Sequence, residues 1–186
     1  EGDINQEYQD THVLFVYTNG PGQIHMKDKK VLKPSDLEGL RIRRPSVVVG
    51  NILTDIGALP TGLPAPDAYE ALEKGVIDGV AISWDGAKVF RLSEITPYHT
   101  QLNLYSLSFV VTMNKQTYAK LPSDLKLVLD KHSGHKWSQH MAKVFDSLDQ
   151  QAINEAKQRN DQLITPDEAS QAAWQPVLQK ATQQYL

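Results

Sequence analysis

No cysteine occurs among the 186 residues. That absence removes disulfides, thiol nucleophiles and cysteine-ligated metals, and it suits a compartment where thiols are a liability. No run of apolar residues reaches the length that spans a bilayer as a helix. Neither charge sign dominates: the net charge is −3, so no broad field attracts nucleic acid or acidic membranes. The opening Glu1-Gly2-Asp3-Ile4-Asn5-Gln6 lacks a basic n-region, an apolar h-region and an initiator Met, so a processed or shortened chain is expected. Also missing are the Gly-x-Ser-x-Gly elbow, the Walker loop, Gly-x-Gly-x-x-Gly and His-Glu-x-x-His. There is no internal repeat and no low-complexity segment. What remains is ordinary for a globular protein, 40% hydrophobic and 22% charged, with enough residues for one good core or two small lobes.

The densest information lies in Leu40-Arg41-Ile42-Arg43-Arg44-Pro45. Ser35 to Gly39 precedes it and reads as one helical turn, with Ser35 as cap, Glu38 completing a capping box and Gly39 as stop. The pattern then switches to period two, with Leu40 and Ile42 facing one way and Arg41 and Arg43 the other. Pro45 ends the strand and Ser46 can cap the helix that follows. A guanidinium at a strand end beside a helix N-terminus is where an α/β protein catches carboxylates.

Around this stretch, strands and helices alternate. His12–Thr18 reads as a strand, Asn19-Gly20-Pro21-Gly22 as a turn cluster and residues 27–33 as a charged excursion. Ser46–Ile56 is expected to be a helix stopped by Gly57, residues 58–63 a short strand, Pro66–Lys74 a helix, and Val76–Ser83 a strand with a kink at Asp78-Gly79. A short helix over Asp85–Leu92 follows, then one long strand or two over Thr100–Thr112. Short helices are expected at Lys115–Leu121 and from Pro122, helical register from His135 to about Leu163, and a last helix from Pro166 to Leu186. This order predicts an α/β fold with a mostly parallel sheet, flanking helices and a long helical C-terminal segment. As domains it suggests an N-terminal remnant (1–11), an α/β lobe with strands crossing between lobes (12–121) and a helical segment with a long crossing helix (122–186).

Several patterns have bland readings. His132, His135 and His140 are close in sequence, but Ser133-Gly134 interrupts the helix, so a solvated face outweighs a zinc site. Pro21 removes an amide from Asn19–Gln23, which favours a plain turn over a phosphate cradle. Arg41, Arg43 and Arg44 make a poor nucleic-acid patch in an acidic protein. Val80-Ala81-Ile82-Ser83-Trp84-Asp85 is a second strand end opening into a helix. Trp84 offers an apolar wall with one N–H, and Asp85 a carboxylate for a cation or a hydroxyl; a core Trp and an Asp cap are the alternatives.

Taken together, Pro34–Pro45, Ile56-Gly57-Ala58, Pro64–Leu72, Lys74–Gly79, Met113-Asn114-Lys115 and Leu121-Pro122 resemble, in order and spacing, the DctP-type solute-binding proteins of TRAP (tripartite ATP-independent periplasmic) transporters. The resemblance covers about residues 12 to 165 and implies a periplasmic-binding-protein-like fold. It also implies a periplasmic, non-enzymatic receptor that captures a small organic acid and passes it to membrane permease subunits, with no nucleic-acid partner.

Within that resemblance, Arg43 matches the arginine that pairs with the substrate carboxylate and Ser46 lies beside it. Trp84 and Asp85 match the Trp-acid pair of a branch similar to binders of keto and hydroxy acids. There the acid, with a glutamine near Gln23, can hold a cation such as sodium or calcium. No other cofactor is implied. Phe109 and Tyr105 are candidate lining. Gly22, Ala65 and the strand end Ile82-Ser83-Trp84 depart from sialic-acid-type members and argue against a sialic acid. Asp85 is shorter than the more usual Glu. The family's opening strands and helices have no counterpart before His12, so a shortened binding protein is expected. A homodimer through the helical tail is left open, as are two rival readings: an enzyme acting on an organic acid, with Asp85 or a His as base, and a ligand-sensing module of the same fold.

Overall fold

The structure is a computed structural model that describes residues 6–185. The chain forms two compact units, each assembled from two separated segments: Glu1–Asn19 with Leu107–Ser147, and Gly20–Ser106 with Leu148–Leu186.

In the first unit, β1 (Thr11–Thr18) pairs antiparallel with β7 (Ser108–Asn114). α4 (Lys115–Lys120), α5 (Ser123–Lys131) and the first part of α6 (Gly134–Gln158) follow. Asn114 caps α4, its side chain accepting from the Thr117 N–H at 3.0 Å. Rings carry much of the packing: Tyr17 stacks on Phe109 at 5.1 Å and on Phe145 at 5.0 Å. None of this unit's described residues is fully buried.

The second unit holds the core. Its strands are β2 (Gly22–Met26), β3 (Arg41–Arg44), β4 (Leu59–Gly62), β5 (Gly79–Ile82), β6 (Tyr98–Tyr105) and β8 (Gln162–Ile164). They form one sheet in the order β4-β3-β5-β2-β6-β8. The pairs β3·β4, β3·β5 and β6·β8 are parallel, and β2 runs antiparallel to both neighbours, so the expected mostly parallel α/β sheet is present. The helices are α1 (Val47–Asp55), α2 (Ala68–Glu73), α3 (Trp84–Val89), the end of α6 and α7 (Glu168–Tyr185).

Side-chain alternation splits this core between the two faces of the sheet. Ile24, Met26, Ile42 and Ala81 pack with Val49, Leu53 and Trp174 on one face. Val80 and Ile82 pack with Leu72, Ala87 and Leu92 on the other. Each of the larger aliphatic side chains buried here stabilises the fold by roughly 1.5–3 kcal/mol.

Several local expectations need correction. The central strand β2 lies where no strand was expected. Its Gln, His and Met carry no β-branched signal, yet all five residues are buried between two neighbours. Of the two readings left open for Thr100–Thr112, the two-strand one holds, with the strands in different sheets and Ser106-Leu107 between them. The long helix ends at Gln158, and residues 162–164 form an edge strand. The strand expected from Val76 begins at Gly79, because Gly75 takes a left-handed conformation and Asp78 is tied to Arg41. At Pro34–Leu37, Ser35 and Glu38 do not form the capping box. Asp36 ties the turn instead, accepting from the Leu32 and Lys33 N–H groups at 2.8 and 3.0 Å.

Candidate functional site

β3 and β5 are parallel neighbours, and each runs directly into a helix, α1 and α3. Their C-terminal ends form the edge at which open α/β sheets bind ligands. Gly22 and Gln23 at the start of β2, and Tyr105 at the end of β6, lie on the same edge, because β2 runs opposite to β3 and β5 whereas β6 runs with them.

The three neighbouring arginines separate clearly. Arg41 is exposed and committed to Asp78, with Nε donating to Oδ2 at 3.0 Å and Nη2 to Oδ1 at 2.6 Å. This pair holds the Asp78 carboxyl below its usual range. Arg44 lies against two glycines: a Cβ on Gly50 would stand 2.4 Å from its Cδ, and one on Gly62 would stand 3.0 Å from its Nη2. Arg43 is only 8% exposed. Its Nε donates to the Leu63 carbonyl at 3.1 Å and its Nη1 to the Ala81 carbonyl at 3.4 Å. Among the described residues no carboxylate pairs with it. Burial pulls the Arg43 pKa down, and the neighbouring Tyr105 opposes that shift. The buried guanidinium is therefore anchored by two carbonyls and left with unmatched charge and donors, the condition under which a carboxylate binds well.

Tyr105 completes an electrostatic trio. Burial pushes its phenol up, the Arg43 guanidinium pulls it back and the Asp85 carboxylate raises it again. The ring rests on the Gly22 backbone so closely that a Cβ there would stand 2.0 Å from Cε1. That contact leaves no room for a side chain at position 22.

Asp85 is 7% exposed. Its backbone N–H donates to Asp149 Oδ1 at 2.6 Å, whereas its own Oδ1 is buried without a hydrogen-bond partner. Such an orphaned acceptor is costly unless a donor or cation reaches it. Ser46 caps α1, accepting from the Val49 N–H at 3.3 Å. Trp84 is 2% exposed and packs on His25, His99, Ala152 and Ala156. Phe109 belongs to the first unit, where it stacks on Tyr17.

Gln23 is fully used. Its Nε2 donates to the Pro21 carbonyl and Asn103 Oδ1, and its Oε1 accepts from the Leu102 and Asn103 N–H groups at 2.7 and 3.0 Å. It thereby satisfies the backbone where the β2·β6 register slips. With both acceptor sites of that oxygen filled, a cation would find Asp85 but no amide oxygen from Gln23. Among the described residues no group of three His, Asp or Glu side chains gathers as a metal site.

Sequence reasoning missed two supports. One is Asp149 beneath Asp85. The other is a buried histidine pair behind Trp84, His25 Nδ1···His99 Nδ1 at 2.7 Å. His25 Nε2 stands 3.1 Å from the Ile82 carbonyl and must donate to it. His99 then donates through Nδ1, which leaves its Nε2 bare towards Asp161 Oδ2 at 3.3 Å, the longest of the three contacts. Burial lowers His25 to about 3 and His99 to about 4, so both rings are neutral near pH 7. His25 and His99 are 74 residues apart, so spacing could not reveal them. A recognised β2 would have placed Gln23 and His25 on one face.

Among the described residues no helix is long and apolar enough to cross a membrane. The family described as bacterial extracellular solute-binding protein, family 7 (DctP), matches residues 3–186. The C4-dicarboxylate-binding periplasmic protein DctP of Rhodobacter capsulatus is 28% identical over 148 residues, 78% of this chain and 44% of that protein. A TRAP solute-binding protein from Rhodoferax ferrireducens, solved with copurified benzoate, superposes with a TM-score of 0.88 at 30% identity, covering 96% of this chain and 57% of that one. A marine-metagenome TRAP protein specific for aromatic acids, solved with 3-hydroxybenzoate, gives 0.91 at 28% identity, covering 99% and 59%. The chain thus spans about half the length of the relatives it matches. On the match across nearly its whole length, this chain belongs to family 7 of the bacterial extracellular solute-binding proteins.

Proposed function

We propose that this chain is the acid-capturing part of an extracytoplasmic, periplasmic solute-binding protein serving a TRAP-type secondary transporter. It binds a small organic acid without converting it and presents it to membrane permease subunits. The observation that carries this reading is Arg43: buried, anchored by two carbonyls, and without a carboxylate partner among the described residues. A ligand carboxylate supplies the missing charge. The α1 N-terminus capped by Ser46 adds favourable dipole, and Asp85 with Tyr105 receives the ligand's polar substituent. Trp84 supports this wall from behind. The family relatives solved with benzoate and 3-hydroxybenzoate favour a monocarboxylate with an apolar or aromatic body.

Isothermal titration of the chain with benzoate, 3-hydroxybenzoate, malate and a neutral amide analogue tests this. Saturable binding of an acid, absent for the amide and weakened about tenfold or more in Arg43→Met, is expected from the loss of charged hydrogen bonds. Equal binding of acid and amide, or an affinity unchanged by Arg43→Met, overturns it. Recovery of a chemically altered acid would favour the enzyme reading instead.

A further inference from the structure

The first unit carries a feature that acid capture does not use. Where α5 ends and α6 begins, an open cavity of about 500 Å³ is lined by Lys131, His132, Lys136, Trp137, His140 and Lys143. Trp137 is half-buried, with the rings of His132 and His140 edge-on at 5.1 and 5.0 Å. The three lysines are exposed, and among the described residues none forms an ion pair. The adjoining Asp130 is turned away to accept from the Tyr118 hydroxyl at 2.7 Å. An uncompensated cluster of this kind stands out on a chain of net charge −3. Beside it, Leu127 and Val128 are 71% and 55% exposed. They precede Lys131 by four and three residues on α5, so all three share one helix face. No residue of α5 is buried.

An exposed apolar stripe beside an aromatic floor, with cations at its rim, has the composition of a protein-docking surface. We propose that this face of α5 and the start of α6 docks an acidic segment of a partner protein that also carries apolar side chains. Carboxylates of that segment meet Lys131, Lys136 and Lys143, while its apolar groups cover Trp137, Leu127 and Val128. A lipid surface fits less well. Polybasic membrane sites gather about four to eight Lys or Arg; here there are three around a concavity, on a chain whose overall charge is repelled by anionic lipid.

Trp137 supplies the readout. Trp84 and Trp174 are each 2% exposed, so an emission change on docking reports mainly Trp137, and Trp137→Phe must abolish it. The probe is a synthetic peptide of sequence EFEDLE, with QFQNLQ as its uncharged counterpart. Saturable binding of EFEDLE is expected, weakened severalfold between about 50 and about 300 mM salt as the charges are screened. Binding should fall about tenfold in the triple variant K131Q/K136Q/K143Q, a few-fold for each exposed charge pair lost. Equal binding of QFQNLQ, no saturable change, or no loss in the triple variant refutes the proposal. Tighter binding of vesicles of phosphatidylserine in phosphatidylcholine than of EFEDLE refutes it in favour of a membrane. The outcome is independent of the acid site: Arg43→Met leaves the peptide titration unchanged, and the triple variant leaves acid titration unchanged.

Discussion

Gly22→Ala is the sharpest test of the site's construction. One methyl group would be added at a position where an ideal Cβ stands 2.0, 2.2 and 2.6 Å from Cε1, Cζ and Cδ1 of Tyr105. Carbon atoms in contact settle near 3.5–4 Å, so the ring must move by about 1.5 Å or the β2·β6 pairing must open. Gly22 is not among the glycines with positive φ, so backbone strain does not contribute. Overpacking of this kind costs about 1–3 kcal/mol. The ring that moves is the one sensed by Arg43 and Asp85, so acid affinity should fall together with stability. Urea denaturation followed by circular dichroism measures the first effect, and titration with the best acid of the panel measures the second. Gly22→Ala combined with Tyr105→Ala should cost less than the sum of the single changes, by about 1–2 kcal/mol, because the clash is then absent. An unchanged urea midpoint in Gly22→Ala, or strict additivity in the double variant, would refute the close approach of Tyr105 to the β2 backbone.

The buried histidine pair makes stability depend on pH. Its pKa values lie below the ordinary 6.5, at about 3 for His25 and about 4 for His99. On acidification the unfolded chain therefore takes up protons first, and stability that is full above about pH 6.5 is lost as pH falls towards 4 and 3. At pH 5 the loss is about 2 kcal/mol per ring, about 4 kcal/mol together; His99→Gln should roughly halve the decline in urea midpoint, and a flat wild-type profile would contradict the burial. Arg43→Lys should weaken acid binding while keeping a positive charge, because an ammonium cannot reproduce the planar fork; titration giving wild-type affinity would show that charge alone suffices at this position. Arg41→Ala, by contrast, should leave acid affinity unchanged, since that guanidinium is occupied by Asp78 at the exposed edge. With the Gln23 oxygen already filled, chelator and sodium-free buffer should leave affinity unchanged, and a loss on cation removal would restore a cation to Asp85.

Much of this was legible in order along the chain. Period-two alternation through Leu40–Arg43, the cap at Ser46 and the stops at Gly57 and Gly75 are local signals. Each rests on contacts within a few residues, so the strand, the helix and the position of Arg43 at their junction could be read from the linear text. Spacing of the signature segments pointed to the family for the same reason. Tertiary structure alone decided which arginine remains available. Arg41 meets Asp78 across 37 residues, and Arg43 finds two carbonyls on separate segments. It also decided that Gln23 feeds a slipped ladder, that Gly22 makes room for Tyr105, and that β2 is a central strand although Ile24 is its one β-branched residue. Those outcomes depend on burial and pairing between residues about 60 to 80 positions apart, which composition and periodicity do not encode. The sequence by itself therefore determined most of the elements and the guanidinium at a strand end beside a helix N-terminus; the fold decided its neighbours, and with them what that arginine is free to bind.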